Sequence, residues 1–211
     1  MLLLVALWGN MAAMRVAIHK ESGKMGQALL KAIAQNPHFE RVPLGEESVT
    51  IDVSRPEGTL DLLLTQSRPL VVGTTGHASL EPLKNCAQRV PVLYAPNFSL
   101  GILALKRAAT AVQALLPEAS CHIIETHHTE KVDKPSGTAL MLEKSLKVDE
   151  VHSVRAVGNV GEHTLVFSTP NEEVTLTHRA RSRALFAQGA LIAAQKLLNM
   201  EPGFYELQDI I

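Results

Sequence analysis

The stretch "RVAIHKESGKMGQALLKAIAQ", Arg15–Gln35, decides how the fold is read. Arg15 to His19 is a short β-rich run, and a turn containing glycine follows. Met25, Leu29, Ala32 and Ile33 then recur at helical spacing, and Asn36-Pro37 stops the pattern. A turn between a first strand and a first helix is where a dinucleotide-binding motif sits. Its backbone amides and the helix N-terminus can hold a pyrophosphate. The usual pattern is G-x-G-x-x-G or a relative of it. Here only Gly23 and Gly26 remain, and Lys20 and Ser22 stand where glycines are expected. A side chain at the tight-turn position costs backbone freedom, while Lys20 and Lys24 add positive charge. Alone, the turn reads as a nucleotide site or as an ordinary strand–helix connection.

The neighbouring segments extend the pattern. "VTIDVS", Val49–Ser54, reads as a strand, and Pro56 suits the first turn of a helix over 57–66. "PLVVGTTG" is an apolar strand running into a turn. Residues 79–88 read as a helix, and "VPVLYAPNFS" is another strand ending in a loop. Strands that are apolar throughout and alternate with helices predict a parallel sheet covered on both faces. In such sheets ligands sit outside the carboxyl ends of the strands. This points to Gly73, Thr74 and Thr75 and to Ala95, Pro96, Asn97 and Phe98, although Gly, Thr and Asn are also common in any loop. An acid after the second strand normally takes the ribose hydroxyls, and Glu46 or Glu47 is placed for that. The segment 39–48 is too short to hold a further helix.

Beyond Phe98 the texture changes. "GILALKRAATAVQALL" is a long amphipathic helix, "CHIIETHH" a strand, and "GTALMLEKSLK" a helix. Strands are predicted near 151–157, 163–169 and 172–180, the last two joined by the hairpin-type turn in "STPNEEV". "RALFAQGALIAAQKLL" closes with a helix. The fold class is therefore α/β, a Rossmann-like parallel sheet followed by an α+β half with a mixed or antiparallel sheet.

Composition narrows the function. The chain has 211 residues, 46% hydrophobic, with 20 basic against 21 acidic side chains. A near-zero net charge gives no reason to expect nucleic acid as a partner. Cys86 and Cys121 form no CxxC pair, which fits a reducing, cytoplasmic setting. The apolar run in "MLLLVALWGNMAAMRVAI" is too short to span a bilayer and has no basic n-region. Residues 1–13 are expected to be an extension or a misassigned start, the alternative being a helical or membrane-touching tail.

"ETHHTEKVDKPSGTA", Glu125–Ala139, carries the chemistry. If the strand continues, Glu125 and His127 share one face and His128 lies on the other. Pro135 and Ser136-Gly137-Thr138 then open a helix whose free amides suit a carboxylate or phosphate. Histidine moves protons near neutral pH. HHxxK is not HExxH, so no metal site is expected here. A solvated loop is the plain alternative to an anion-plus-proton site.

This stretch resembles the signature E-x-HH-xx-K-x-DAPSGTA of the 4-hydroxy-tetrahydrodipicolinate (dihydrodipicolinate) reductase family, with Lys134 where alanine is usual. "IDVSRPEGTL", "VVGTTG", "PNFSLG", "VGEHTLVF", "THRARSRALFAQGA" and "GFYELQDII" resemble family segments in the family's order, covering Met14 to Ile211. The resemblance implies a Rossmann-like dinucleotide-binding domain, residues 14–98 and about 183–211. It also implies a substrate-binding and oligomerisation domain, residues 99–182, whose open mixed sheet builds a homotetramer. The implied activity belongs to diaminopimelate and lysine biosynthesis. NADH or NADPH reduces 4-hydroxy-tetrahydrodipicolinate to tetrahydrodipicolinate with loss of water. Carried over residue by residue, His127 would donate and accept the proton, Lys131 would donate one, and His128, Gly137 and Thr138 would hold the substrate. Lys20, Glu21, Ser22, Gly23, Lys24 and Met25 would fill the dinucleotide turn. Gly73, Thr74, Thr75, Ala95, Pro96, Asn97 and Phe98 would hold the nicotinamide end, with Glu46 on the ribose. Against the family, the turn has lost two small residues, a strand–helix unit is missing after the second strand, and the loop at 147–151 is short. A non-catalytic relative that binds nucleotide or dicarboxylate is the alternative function, and a structural or metal-binding protein is a third.

Overall fold

The computed structural model describes residues 12–211. The expectation for residues 1–13 lies almost wholly outside them. In chain order the elements are β1 (Met14–His19), α1 (Lys24–Ala34), β2 (Phe39–Arg41), β3 (Val49–Asp52), α2 (Pro56–Leu63), β4 (Leu70–Val72), α3 (Glu81–Cys86), β5 (Pro91–Tyr94) and α4 (Leu100–Leu115). They continue with β6 (Ser120–His127), α5 (Gly137–Ser145), β7 (Glu150–Arg155), β8 (Glu162–Ser168), β9 (Glu173–Arg179), α6 (Ala184–Leu197), β10 (Gly203–Glu206) and α7 (Leu207–Ile210). Two compact units result. One comprises the described chain up to Ala95 together with Ala190–Ile211, and the other is Pro96–Gly189.

The first unit is built on a six-stranded sheet in the order β10-β5-β4-β3-β1-β2, and every pairing in it is parallel. β3 and β4 are buried at every residue, as strands covered on both faces must be. Leu62, Leu63, Leu70, Leu83, Val90 and Val92 form one core cluster of this unit. The segment 39–48 holds no helix. Instead it contains the three-residue strand β2, which the sequence pattern did not announce. β2 and β3 lie on opposite sides of β1. The chain crosses between them tied to β1 by Val42 N–H to Val16 O at 3.0 Å and Ser48 N–H to Arg15 O at 2.8 Å.

The second unit is built on a four-stranded mixed sheet, β7-β6-β8-β9. β6 and β7 are parallel, and β6–β8 and β8–β9 are antiparallel. Strict alternation along β6 buries Cys121, Ile123, Glu125 and His127. Ile102, Leu105 and Ala109 of α4, Ala139 and Leu142 of α5, and Leu165 and Phe167 of β8 complete the core with Cys121 and Ile123. Both helices start on a serine cap: Ser99 accepts from Ile102 N–H, and Ser136 from Ala139 N–H. Such caps are worth about 1 kcal/mol each. The short 147–151 connection is closed by Asp149, which exchanges hydrogen bonds with the Cys121 backbone at 2.7 and 2.8 Å.

Candidate active site

In the first unit the turn after β1 has the geometry of an anion cradle. Gly23 caps α1 with no side-chain hydrogen bond, so the first amides of the helix face outward as a ready anion site. A Cβ at Gly26 would come within 2.6 Å of the Lys20 carbonyl and 2.5 Å of the Glu21 carbonyl. The helix therefore approaches the turn as closely as a glycine permits, as the last glycine of a dinucleotide turn does. Lys20, standing where a glycine is expected, adopts φ +72°. The turn thus keeps its left-handed residue at the steric cost of a Cβ. Ser22 and Lys24 are exposed and Met25 is half-buried. These residues fit a dinucleotide in backbone shape and in charge.

Two features of this unit were not read from the sequence. Asp52, fully buried at the end of β3, accepts from His19 Nδ1 at 2.9 Å, Thr74 Oγ1 at 3.1 Å, Ser54 N–H at 3.1 Å and the Thr59 hydroxyl. Thr74 is thus committed to a structural carboxylate. Gly73 donates its N–H to the Asp52 carbonyl at 2.8 Å, Thr75 is exposed, and buried Ala95 donates to the Val72 carbonyl. The acid expected on the ribose also stands differently. Glu46 pairs with Arg15 at 3.0 Å. Glu47 is buried, receiving hydrogen bonds from Gly45 N–H and Thr50. The residues that end β2 are Glu40 and Arg41, and Arg41 forks onto both oxygens of Glu21.

In the second unit Glu125, fully buried, is the hub. His127 Nδ1 bonds its Oε2. The Arg155 guanidinium reaches Oε1 at 2.9 Å and Oε2 at 3.0 Å, and Ser136 N–H donates to Oε1 at 3.3 Å. Burial would raise the Glu125 carboxyl, but hydrogen bonds from Ser153, His127 and Arg155 outweigh it and hold the group below the ordinary carboxylate range. His127 lies below the ordinary histidine range, chiefly through burial. The Lys131 and Arg155 charges add to that, and Glu125 opposes it. A neutral ring that gives its Nδ1 proton to Glu125 keeps Nε2 as an acceptor atom. Gly161 lies against that edge, since a Cβ there would stand 3.0 Å from Nε2.

Arg155 and His163 escaped the sequence reading, yet the register delivers both: Arg155 is opposite His127, and His163 opposite Glu125. Arg155 also donates to the carbonyls of Lys131 and Asp133, fixing the loop that carries Lys131. Lys131 itself pairs with Asp133 at 2.8 Å, and its charge and hydrogen bond hold the Asp133 carboxyl low against the opposing effect of burial. His163 meets the His127 ring edge to face at a centroid distance of 5.2 Å, and its Nε2 lies 3.1 Å from Ser136 Oγ. Burial, aided by the His127 charge, pushes it down to about 4. His128 follows the last residue of β6 and is half-buried. Gly137 opens α5 with free space where a Cβ would be. Thr138 Oγ1 accepts from Asn97 Nδ2 at 2.8 Å, which brings one of the expected nicotinamide-side residues to the expected carboxylate cradle. Phe98 is buried, so its backbone is what that loop offers. Pro96 is exposed. Among the described residues, one group with metal-ligand spacing occurs, His122, Glu150 and His152 with ligand atoms within 4.8 Å, and it includes no member of the 125–139 loop.

A parallel nucleotide-type sheet in one unit, and a buried carboxylate–histidine pair beside a helix N-terminus in the other, are the parts of a two-domain oxidoreductase. Similarity to known proteins gives the family. Residues 101–211 match the family model for the dihydrodipicolinate reductase C-terminus, and residues 41–98 match that for its N-terminus. The chain belongs to the dihydrodipicolinate reductase family. It is 38% identical to the 4-hydroxy-tetrahydrodipicolinate reductase of Xanthomonas campestris pv. campestris, over 93% of this chain and 97% of that one. It is 37% identical to the reductase of Thermosipho africanus, over 94% and 98%. Among solved structures, a dipicolinate-bound dihydrodipicolinate reductase from Paenisporosarcina sp. TG-14 superposes with a TM-score of 0.82 at 23% identity, covering 94% of this chain and all of that one. A C. glutamicum DAP dehydrogenase shares the fold more distantly, with a TM-score of 0.56 at 12% identity over 95% of each chain.

Proposed function

We propose that the chain reduces 4-hydroxy-tetrahydrodipicolinate to tetrahydrodipicolinate, with loss of water, in diaminopimelate and lysine biosynthesis, and that His127 and Lys131 handle its protons. The observation that carries the site assignment is the buried Glu125–His127 pair beside the Ser136-Gly137-Thr138 helix start. A nicotinamide dinucleotide, NADH or NADPH, supplies the hydride when bound. Lys20 to Met25 hold its phosphates on the turn and the α1 N-terminus. Gly73, Thr75, Ala95, Pro96 and Asn97 serve the nicotinamide end, Thr74 and Phe98 through their backbone. Glu40 replaces Glu46 as the acid for the ribose, because it is an exposed acid beside the last residue of β2 while Glu46 is held by Arg15.

The substrate is a dicarboxylate and needs at least two anion sites. The α5 N-terminus, with the Gly137 amide and the Thr138 hydroxyl, is one. His128 and Lys131 supply positive or donor groups for the rest. Reduction adds a hydride and a proton and removes water. His127 Nε2 is the atom suited to that proton, because Glu125 fixes the tautomer at Nδ1 and Arg155 fixes Glu125. Lys131 delivers a proton from the loop that Arg155 holds. The dinucleotide role is assigned to the first unit and the substrate role to the second. The open face of the mixed sheet is assigned to a homotetramer. Among the described residues no helix is long and apolar enough to cross a membrane, and the two free cysteines suit a cytoplasmic setting.

The test is a coupled assay that follows nicotinamide absorbance with freshly generated substrate. Oxidation of at least one of NADH and NADPH is expected. Oxidation of neither by folded protein would favour the non-catalytic reading, which the altered turn motivates.

A further inference from the structure

The ion pair between the dinucleotide turn and the second strand bears on cofactor choice. Arg41 ends β2, next to β1 in the sheet. In this fold class an arginine near that strand end receives a ribose 2′-phosphate, while an acid there receives the 2′-hydroxyl. Glu40 and Arg41 supply both options. Arg41 is already engaged, with Nε 2.7 Å from Glu21 Oε1 and Nη2 3.0 Å from Oε2. This is the bidentate fork that a phosphate would otherwise use. Glu21 comes from the turn itself, and it is fixed there. Gln27 donates its side-chain amide to the Glu21 carbonyl at 2.9 Å. Gly26 lies so close that a Cβ would stand 2.5 Å from the same oxygen. The Glu21 backbone is therefore fixed in the turn, and its carboxylate is held by Arg41.

Resting on the reading of the first unit as the dinucleotide site, we propose that Glu21 is a specificity-determining residue. Its carboxylate fills the Arg41 fork and sets the chain against the 2′-phosphate of NADPH, leaving NADH as the preferred cofactor. A 2′-phosphate has to displace Glu21 and then lie beside it, and both steps oppose binding. NADH meets neither obstacle, since its 2′-hydroxyl needs an acceptor and Glu40 is one.

The experiment is direct titration of NADH and NADPH by protein fluorescence or calorimetry, without substrate, on the wild type, Glu21→Gln, and Glu21→Gln/Arg41→Gln. The wild type should bind NADH more tightly. Glu21→Gln should tighten NADPH at least fivefold relative to NADH, and the double variant should lose that gain. An unchanged NADPH-to-NADH ratio in Glu21→Gln, or a gain that persists without Arg41, overturns the inference while leaving the dinucleotide site in place. Failure of folded wild type and variants to bind either nucleotide overturns the underlying reading and the inference with it.

Discussion

Replacing Glu125 by glutamine tests the hub of the proposed catalytic network. Glutamine keeps the size and one acceptor oxygen, so the Ser136 amide retains a partner. The charge is lost. Arg155, whose side chain is 8% exposed, is left with no counter-charge at its inner end. Breaking a buried pair from one side costs about 3–5 kcal/mol. Because Arg155 keeps its bonds to the Val154, Lys131 and Asp133 carbonyls, the low end, about 3 kcal/mol, is expected. Urea denaturation of the wild type and Glu125→Gln reads this as a lowered midpoint. The second readout is the pH profile of turnover. Glu125 is the group that raises His127 against burial, Lys131 and Arg155. Without it the His127 pKa falls further, the protonated ring becomes scarcer near neutrality, and the limb where turnover declines with rising pH moves to lower pH. An unchanged denaturation midpoint together with an unchanged pH limb would refute the hub.

Three further outcomes follow from single positions. Lys20 sits at φ +72°, so Lys20→Gly relieves left-handed strain of about 1–2 kcal/mol and loses part of it to chain entropy. A net gain of about 0.5–1 kcal/mol should raise the thermal midpoint. Gly189 is held against the Phe98 carbonyl, where a Cβ would stand 1.9 Å away. Gly189→Ala should destabilise the second unit by about 1–3 kcal/mol, read by chemical denaturation. His163 titrates at about 4 in the fold against an ordinary 6.5, so the unfolded chain takes up that proton first. Its contribution makes stability fall as pH drops from about 6.5 to 4, by up to about 3 kcal/mol. In His163→Gln that share of the acid loss should vanish from the pH dependence of the denaturation midpoint.

Much of the fold is legible because its signals are local. The all-buried runs in β3 and β4 and the period of α1 and α4 are properties of consecutive residues. β2 was not legible, since three residues with one buried side chain, Phe39, carry no period. β10 follows Pro202 and, among the described residues, pairs only with β5, so its strand character comes from its neighbour. In the candidate site, Glu125, His127 and Lys131 fall within one short stretch of sequence. Arg155 and His163 join them through strand register, at sequence separations that no motif spans. The alternation of β6, β7 and β8 does contain that information: once paired, they put Arg155 and His163 on the inward face. Glu46 was a reasonable acid by position, but the choice between it and Glu40 depends on where β2 ends.

The most direct measurement of the central claim compares wild type with His127→Gln and Lys131→Ala, taking turnover and cofactor affinity on the same preparations. The account predicts that each substitution lowers kcat by about 100-fold or more, the scale of general acid–base catalysis, with cofactor Kd within twofold. Turnover like that of the wild type in both variants would contradict it.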